Sequence, residues 1–297
     1  MNLIGHEKQK RLLKMMAQSG RVPHNLLFTG PESIGKRKAA KEFIKVLNCK
    51  VDGKDDCAVC REIRNDRYSD LITIQEDSEI NIDKVREIQK RMALTGRNKD
   101  SYKGAIIDKA HLMNKQAQAC LLKTLEEPKG KAIIILITEH PNILLKTILS
   151  RMWTMRFSSV ESEPIREKLI SMGAKKRDAE KIVRVSSSKP GLAIRILENE
   201  KFRTKRMKKE NDLKKIKNSR FSKRFEYVKE IAEDKKEARE TLKVWLSSLR
   251  EDMINAEDVA EAQSLGKTLS RIQKSLLLTS KTNANLKLLL EEIVINL

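Results

Sequence analysis

The chain has 297 residues, 39% hydrophobic and 35% charged, with a formal net charge of +21. That is enough sequence for two or three domains and a sizeable core, and no apolar run approaches the roughly 18 residues of a membrane span. A helical membrane protein is excluded. With no signal-peptide layout in Met1-Asn2-Leu3-Ile4-Gly5, a helix-rich cytoplasmic protein beside a polyanion, foremost nucleic acid, is expected.

Residues 1–160 alternate short apolar strands with helical stretches, which predicts an α/β domain with a mainly parallel sheet. Strands are expected at Asn25–Thr29, Leu71–Gln75, Gly104–Asp108, Ala132–Thr138 and Trp153–Phe157. Helices are expected at His6–Ser19, Lys36–Leu47, Ile82–Leu94, Lys115–Glu127 and Ile143–Ser150. Residues 161–200 predict a small helical unit broken at Lys189-Pro190-Gly191, and residues 201–297 are helical with almost no Gly or Pro. Leu242, Trp245, Leu246, Leu249 and Met253 form one apolar stripe. Leu286, Leu289, Leu290, Ile293 and Leu297 form another, with Asn285 placed to cap the helix.

Residues 26–37 carry the sharpest motif. A short apolar strand runs into Gly30-Pro31-Glu32-Ser33-Ile34-Gly35-Lys36, the G-x-x-x-x-G-K of a phosphate loop, and then into Arg37. In a working loop of this kind the last residue is Ser or Thr, whose hydroxyl ligates Mg²⁺. Arg37 has no lone pair to offer. Downstream, Ala105-Ile106-Ile107-Asp108 matches a strand ending in a metal-orienting acid, but the next position, often a water-activating Glu, is Lys109. Two substitutions against one reaction predict a nucleotide-hydrolase fold that has stopped hydrolysing. Gly30, Gly35, Lys36, Asp108 and Thr138 are therefore candidates for a degenerate nucleotide site. Thr138 ends an apolar run, and it either senses phosphate or is a buried β-branched residue satisfying a backbone group.

Cys49, Cys57 and Cys60 give C-x₇-C-x₂-C. Three thiolates hold zinc if a carboxylate or water completes the tetrahedron, and Asp52, Asp55, Asp56 and Asp66 are near in sequence. The other reading is a knuckle held by packing alone. Cys120, beside Leu121 and Leu122, belongs to the core. Arg151, after Ser150 and before an apolar strand, either reaches across a subunit boundary to a neighbour's γ-phosphate or forms a rim salt bridge. His6, His24, His111 and His140 are scattered and taken as structural. Between Lys201 and Arg224 twelve Lys or Arg face two acids, a net +10. That run is a solvated helix face or a mobile linker, and only its context raises DNA or an acidic partner.

Together these residues carry a resemblance. The segments are Ile4-Gly5-His6, Pro23-His24, Phe28-Thr29-Gly30-Pro31-Glu32, the cysteines, and Ile106-Ile107-Asp108-Lys109-Ala110. Most specific are Leu121–Pro128, LLKTLEEP, and Leu144–Arg151, LLKTILSR; Pro190-Gly191-Leu192-Ala193 and Asn283-Ala284-Asn285-Leu286 extend the match. The chain resembles the AAA+ clamp-loader subunits of bacterial DNA polymerase III, and among them the delta-prime type. The resemblance implies an AAA+ P-loop domain over 1–160 with a zinc knuckle at 49–63, a helical lid over 161–203 and an all-helical collar over 204–297. It further implies a hetero-pentameric ring with gamma/tau-type ATPase and delta subunits that sets a sliding clamp on primed DNA. In that ring the chain is a stator without ATP turnover of its own, lending Arg151 from Ser150-Arg151-Met152 as an arginine finger. The family's cysteine after this arginine is absent, and its fourth zinc cysteine aligns with Ile63. The alternative is an active gamma-type ATPase in which Lys36 and Asp108 suffice.

Overall fold

A computed structural model describes residues 1–49, 57–94, 101–128, 130–281 and 285–297. The chain divides into two compact units, Met1–Ile165 with Lys189–Gly191, and Arg166–Ser188 with Leu192–Leu297.

The first unit is built on five strands, β1 (Asn25–Thr29), β2 (Leu71–Ile74), β3 (Lys103–Ile107), β4 (Ala132–Thr138) and β5 (Trp153–Arg156). Their order is β2-β3-β4-β1-β5, and every pairing is parallel. Such a sheet is covered on both faces, so its central strands carry continuous apolar runs, residues 26–28, 105–107 and 132–137, rather than alternating ones. All seven residues of β4 are buried. Alternation then decides which core each side chain enters. Leu27, Ala105, Ile107, Ile134 and Leu136 pack with α4 (Ile82–Ala93) and α5 (Lys115–Glu126) on one face. Leu26, Phe28, Ile106, Ile133, Ile135 and Ile137 pack with α1 (Glu7–Ser19) and α2 (Lys36–Asn48) on the other.

Two elements depart from expectation. The cysteine segment contains a short helix, α3 (Ala58–Arg64), capped by Cys57. The helix expected over Ile143–Ser150 is instead a 3₁₀ turn at Pro141–Ile143 followed by α6 (Lys146–Leu149). Leu144 and Leu145 between them are extended, with ψ of 147° and 140°. Burial of Leu144 in the core outweighs its helix propensity.

Helices α7 (Ser162–Ser171), α8 (Lys176–Ser186) and α9 (Pro190–Glu198) follow, with the Pro190 break serving as the start of α9. The second unit continues with α10 (Glu200–Lys217), α11 (Phe221–Ala232), α12 (Lys235–Asn255), α13 (Val259–Lys281) and α14 (Leu286–Ile295). The α12 stripe buries Leu242, Trp245 and Leu249, and the α14 stripe buries Leu286, Leu290 and Ile293, all in one core. Asn285 caps α14, its side chain accepting from the backbone N–H of Lys287 and Leu288. Asn283 and Ala284 lie outside the described residues. Among the described residues no helix is long and apolar enough to cross a membrane.

Candidate functional site

Parallel strands bring their C-terminal ends to one edge of the sheet, where open α/β folds place ligands. Thr29 of β1 pairs with Thr138 of β4, so the loop after β1 lies beside the end of β4. Gly30 donates its N–H to the Thr138 carbonyl at 3.2 Å. A Cβ on Gly30 would stand 2.1 Å from the Phe157 carbonyl oxygen, and its φ is +134°, so only glycine fits there. Gly35, with φ of +101°, turns the chain into α2 and points the first N–H groups of that helix at the loop. Two further contacts fix the loop: His6 donates from Nε2 to the Ile34 carbonyl at 2.8 Å, and Gly191 donates to the Ser33 carbonyl at 2.8 Å. The shape of a phosphate loop is retained.

Its chemistry is altered. Lys36 is buried and its ammonium folds back on the loop, donating to the carbonyls of Gly30 at 2.6 Å and Pro31 at 2.5 Å. Burial pulls its pKa down to about 8, against the attraction of Glu139, Asp108 and Glu32. Asp108 stands one residue beyond β3, its carboxylate accepting the Lys109 N–H at 2.9 Å. Lys109, where a water-activating acid would stand, is in the left-handed region at φ 51°. Its ammonium pairs with Asp77 at 2.5 Å and lies 4.0 Å from Glu32 of the loop. Thr138 is buried. Its hydroxyl accepts the His140 N–H at 3.0 Å and lies 3.1 Å from His111 Nδ1. Burial lowers the His111 pKa from its ordinary value.

Arg151 belongs to the other end of the sheet. It precedes β5, whose first residue, Trp153, pairs with Leu26 at the start of β1. The Asn25 side chain donates to the Arg151 carbonyl at 3.3 Å. Gly30 lies five residues further along the direction of β1, about 16 Å at the usual strand rise of about 3.3 Å. The guanidinium donates to the Thr147 carbonyl at 3.0 Å and pairs with Glu126 at 2.7 Å, with both side chains partly exposed. Arg151 is therefore not brought to the nucleotide-site residues of its own chain.

Cys49, Cys57 and Cys60 do come together. The sulfurs of Cys49 and Cys57 are 3.7 Å apart and those of Cys57 and Cys60 are 3.3 Å apart. Tetrahedral Zn–S bonds of about 2.3 Å put sulfurs about 3.8 Å apart, so the three fit one ion. Burial, and then the neighbouring sulfurs of Cys57 and Cys49, push the Cys60 thiol up to about 12. Ile63, at the fourth position, is buried in the apolar core. Asp66 is paired with Lys41 at 2.5 Å. Asp52, Asp55 and Asp56 lie outside the described residues.

The basic run is partly structural. Arg206 donates to the Val185 carbonyl, Lys209 pairs with Glu237, and Arg224 donates to the carbonyls of Lys217, Ser219 and Val294. Lys201, Lys208, Lys214, Lys215, Arg220 and Lys223 are exposed.

Residues 5–161 match the family described as DNA polymerase III, delta subunit. The DNA polymerase III subunit tau of Bacillus subtilis (strain 168) is 34% identical over 168 residues, covering 55% of this chain and 30% of the relative. The delta' subunit of the same organism is 31% identical over 211 residues, covering 68% of this chain and 63% of the relative. The chain thus spans less than two thirds of either. The crystal structure of a gamma subunit-related protein from Thermotoga maritima superposes with a TM-score of 0.53 at 18% identity, over 95% of this chain and 97% of that one. At that identity the likeness speaks for the fold alone, which is the expected AAA+ α/β architecture followed by a helical region.

Proposed function

The chain belongs to the DNA polymerase III delta-subunit family, and we propose that within it the chain is a delta-prime-like clamp-loader subunit acting without ATP turnover of its own. Its partners are then gamma/tau-type ATPase and delta subunits in a hetero-pentameric ring, together with a sliding clamp and primed DNA. The observation that carries this reading is the separation of Arg151 from the loop at Gly30, at opposite ends of β1. An arginine held away from its own phosphate loop, on a partly exposed edge, supports a role in trans at a neighbour's site. The site beside Gly30 supports the other half of the reading. Arg37 offers no metal ligand, Lys109 is paired with Asp77, and Lys36 is occupied by two loop carbonyls.

The second reading, a gamma-type ATPase, is favoured by the retained Lys36 and Asp108 and by the similarity to tau. MgATP binding and hydrolysis by the purified chain, with Lys36→Ala beside it, separates the two. No turnover, with weak binding or none, is the expected result. Turnover abolished by Lys36→Ala would transfer the assignment to the motor class.

The cysteine triad is proposed as a zinc site whose fourth ligand is a carboxylate or water. Co²⁺ bound there should give an intense thiolate-to-metal charge-transfer band that Cys57→Ser weakens strongly. A chain that takes up no Co²⁺ with this band would leave the triad a packing feature.

A further inference from the structure

Two histidines 29 positions apart in the sequence meet at the C-terminal edge of the sheet. His111 sits in the 3₁₀ turn Ala110–Leu112 after β3, while Glu139 and His140 follow β4 directly. The imidazole centroids are 5.1 Å apart at 86°. One donor atom from each of His111, Glu139 and His140 lies within 4.8 Å of the others. We propose that these three residues form a second metal site, for a divalent ion of borderline softness such as Zn²⁺, with water as the remaining ligand.

The donor set argues for the class of ion. Two imidazoles and one carboxylate with an open position is a recurrent zinc arrangement, whereas Mg²⁺ and Ca²⁺ select oxygen ligands. In a tetrahedral site with N and O bonds of about 2.0–2.2 Å, donors stand about 3.4 Å apart. Glu139 Oε1 and His140 Nε2 are already 3.7 Å apart, and both side chains are partly exposed, so a small rotamer adjustment closes the gap.

The surroundings supply what such a site needs beyond its ligands. The buried Thr138 hydroxyl lies 3.1 Å from His111 Nδ1. When Nδ1–H donates to it, Nε2 keeps the lone pair for the metal, the usual arrangement around a ligating histidine. The same hydroxyl accepts the His140 N–H at 3.0 Å, so one buried side chain orients both arms. Neither neighbouring ammonium is seated on Glu139. Lys36 is held by the Gly30 and Pro31 carbonyls, and Lys109 by Asp77. The site lies at the same edge of the sheet as Gly30 and shares only Thr138 with the candidate nucleotide site.

The test is a Co²⁺ and Zn²⁺ titration of the full chain, with bound metal counted after dialysis. The wild type should bind one equivalent more than His140→Ala. That equivalent of Co²⁺ should give visible ligand-field bands without thiolate charge transfer, which separates it from the cysteine triad. His111→Asn and Glu139→Gln should lose the same equivalent, and Thr138→Val should weaken it about 10–100-fold, as outer-shell changes do. Equal stoichiometry in wild type and His140→Ala, or cobalt spectra entirely of thiolate type, would overturn the proposal. His140→Ala removes a partly exposed side chain, so it decides the matter even if His111→Asn fails to fold.

Discussion

If Arg151 acts in trans as proposed, Arg151→Ala is expected to reduce the clamp- and DNA-stimulated ATPase of the reconstituted clamp loader by about 10³-fold or more at the neighbouring site, while the ring still assembles. Loss of an arginine finger costs about 10³–10⁵-fold in kcat in systems that depend on one, because the guanidinium meets charge that develops only in the transition state. Its structural duties are small by comparison. The pair with Glu126 is partly exposed, and such pairs contribute about 0–1 kcal/mol. The substitution should therefore leave the fold unchanged, which gel filtration of the complex and thermal melting of the chain would check. Arg151→Lys should not rescue the rate, since a point ammonium lacks the planar fork that engages phosphate oxygens. Undiminished hydrolysis in an assembled ring would remove the trans-acting role and leave Arg151 as a rim salt bridge.

Trp245→Ala should produce the largest loss of stability in the second unit. The ring is fully buried on α12, stacked at 6.0 Å and 18° on Tyr227, with its N–H donating to the Lys209 carbonyl at 3.3 Å. Truncating a buried tryptophan costs about 3–5 kcal/mol through lost transfer energy and the cavity left behind. Against a total of about 5–15 kcal/mol for a typical domain, that is enough to populate unfolded forms. Trp245→Phe should cost less, since most of the volume stays and only the Lys209 carbonyl loses its donor. Urea unfolding followed by far-ultraviolet circular dichroism measures both. A loss under about 1.5 kcal/mol for the alanine variant would mean that the core collapses readily into the space, and that the helices are held mainly by other contacts.

How much was legible depended on range. The strand alternation of β1, β3 and β4 follows from runs of Leu, Ile and Ala, because a residue's face is set by its own position in the strand. The phosphate-loop motif was equally local in its glycine spacing, while the contacts of His6 with Ile34 and Gly191 with Ser33 that hold the loop are long-range. Periodicity misled at the start of Ile143–Ser150, where Leu144 and Leu145 are extended and Leu144 is buried, and only Lys146–Leu149 is α-helical. It was silent on α3, too short to show a period. The histidines were set aside as scattered, and no sequence signal joins His111 to His140.

By itself, therefore, the sequence determined the elements of the sheet, the replacement of the Mg²⁺-binding hydroxyl by Arg37, the replacement of the second acid by Lys109, and the two apolar stripes of α12 and α14. Each is a property of residue type and short spacing. Only the tertiary structure decided that Lys36 turns back on Gly30 and Pro31, that Lys109 finds Asp77, and that Arg151 stands at the far end of β1 from Gly30. The last two depend on strand order and direction. With β1 lying between β4 and β5, all strands parallel, the chain places Thr138 beside the loop and Arg151 at the opposite edge, and short-range pattern cannot specify that order.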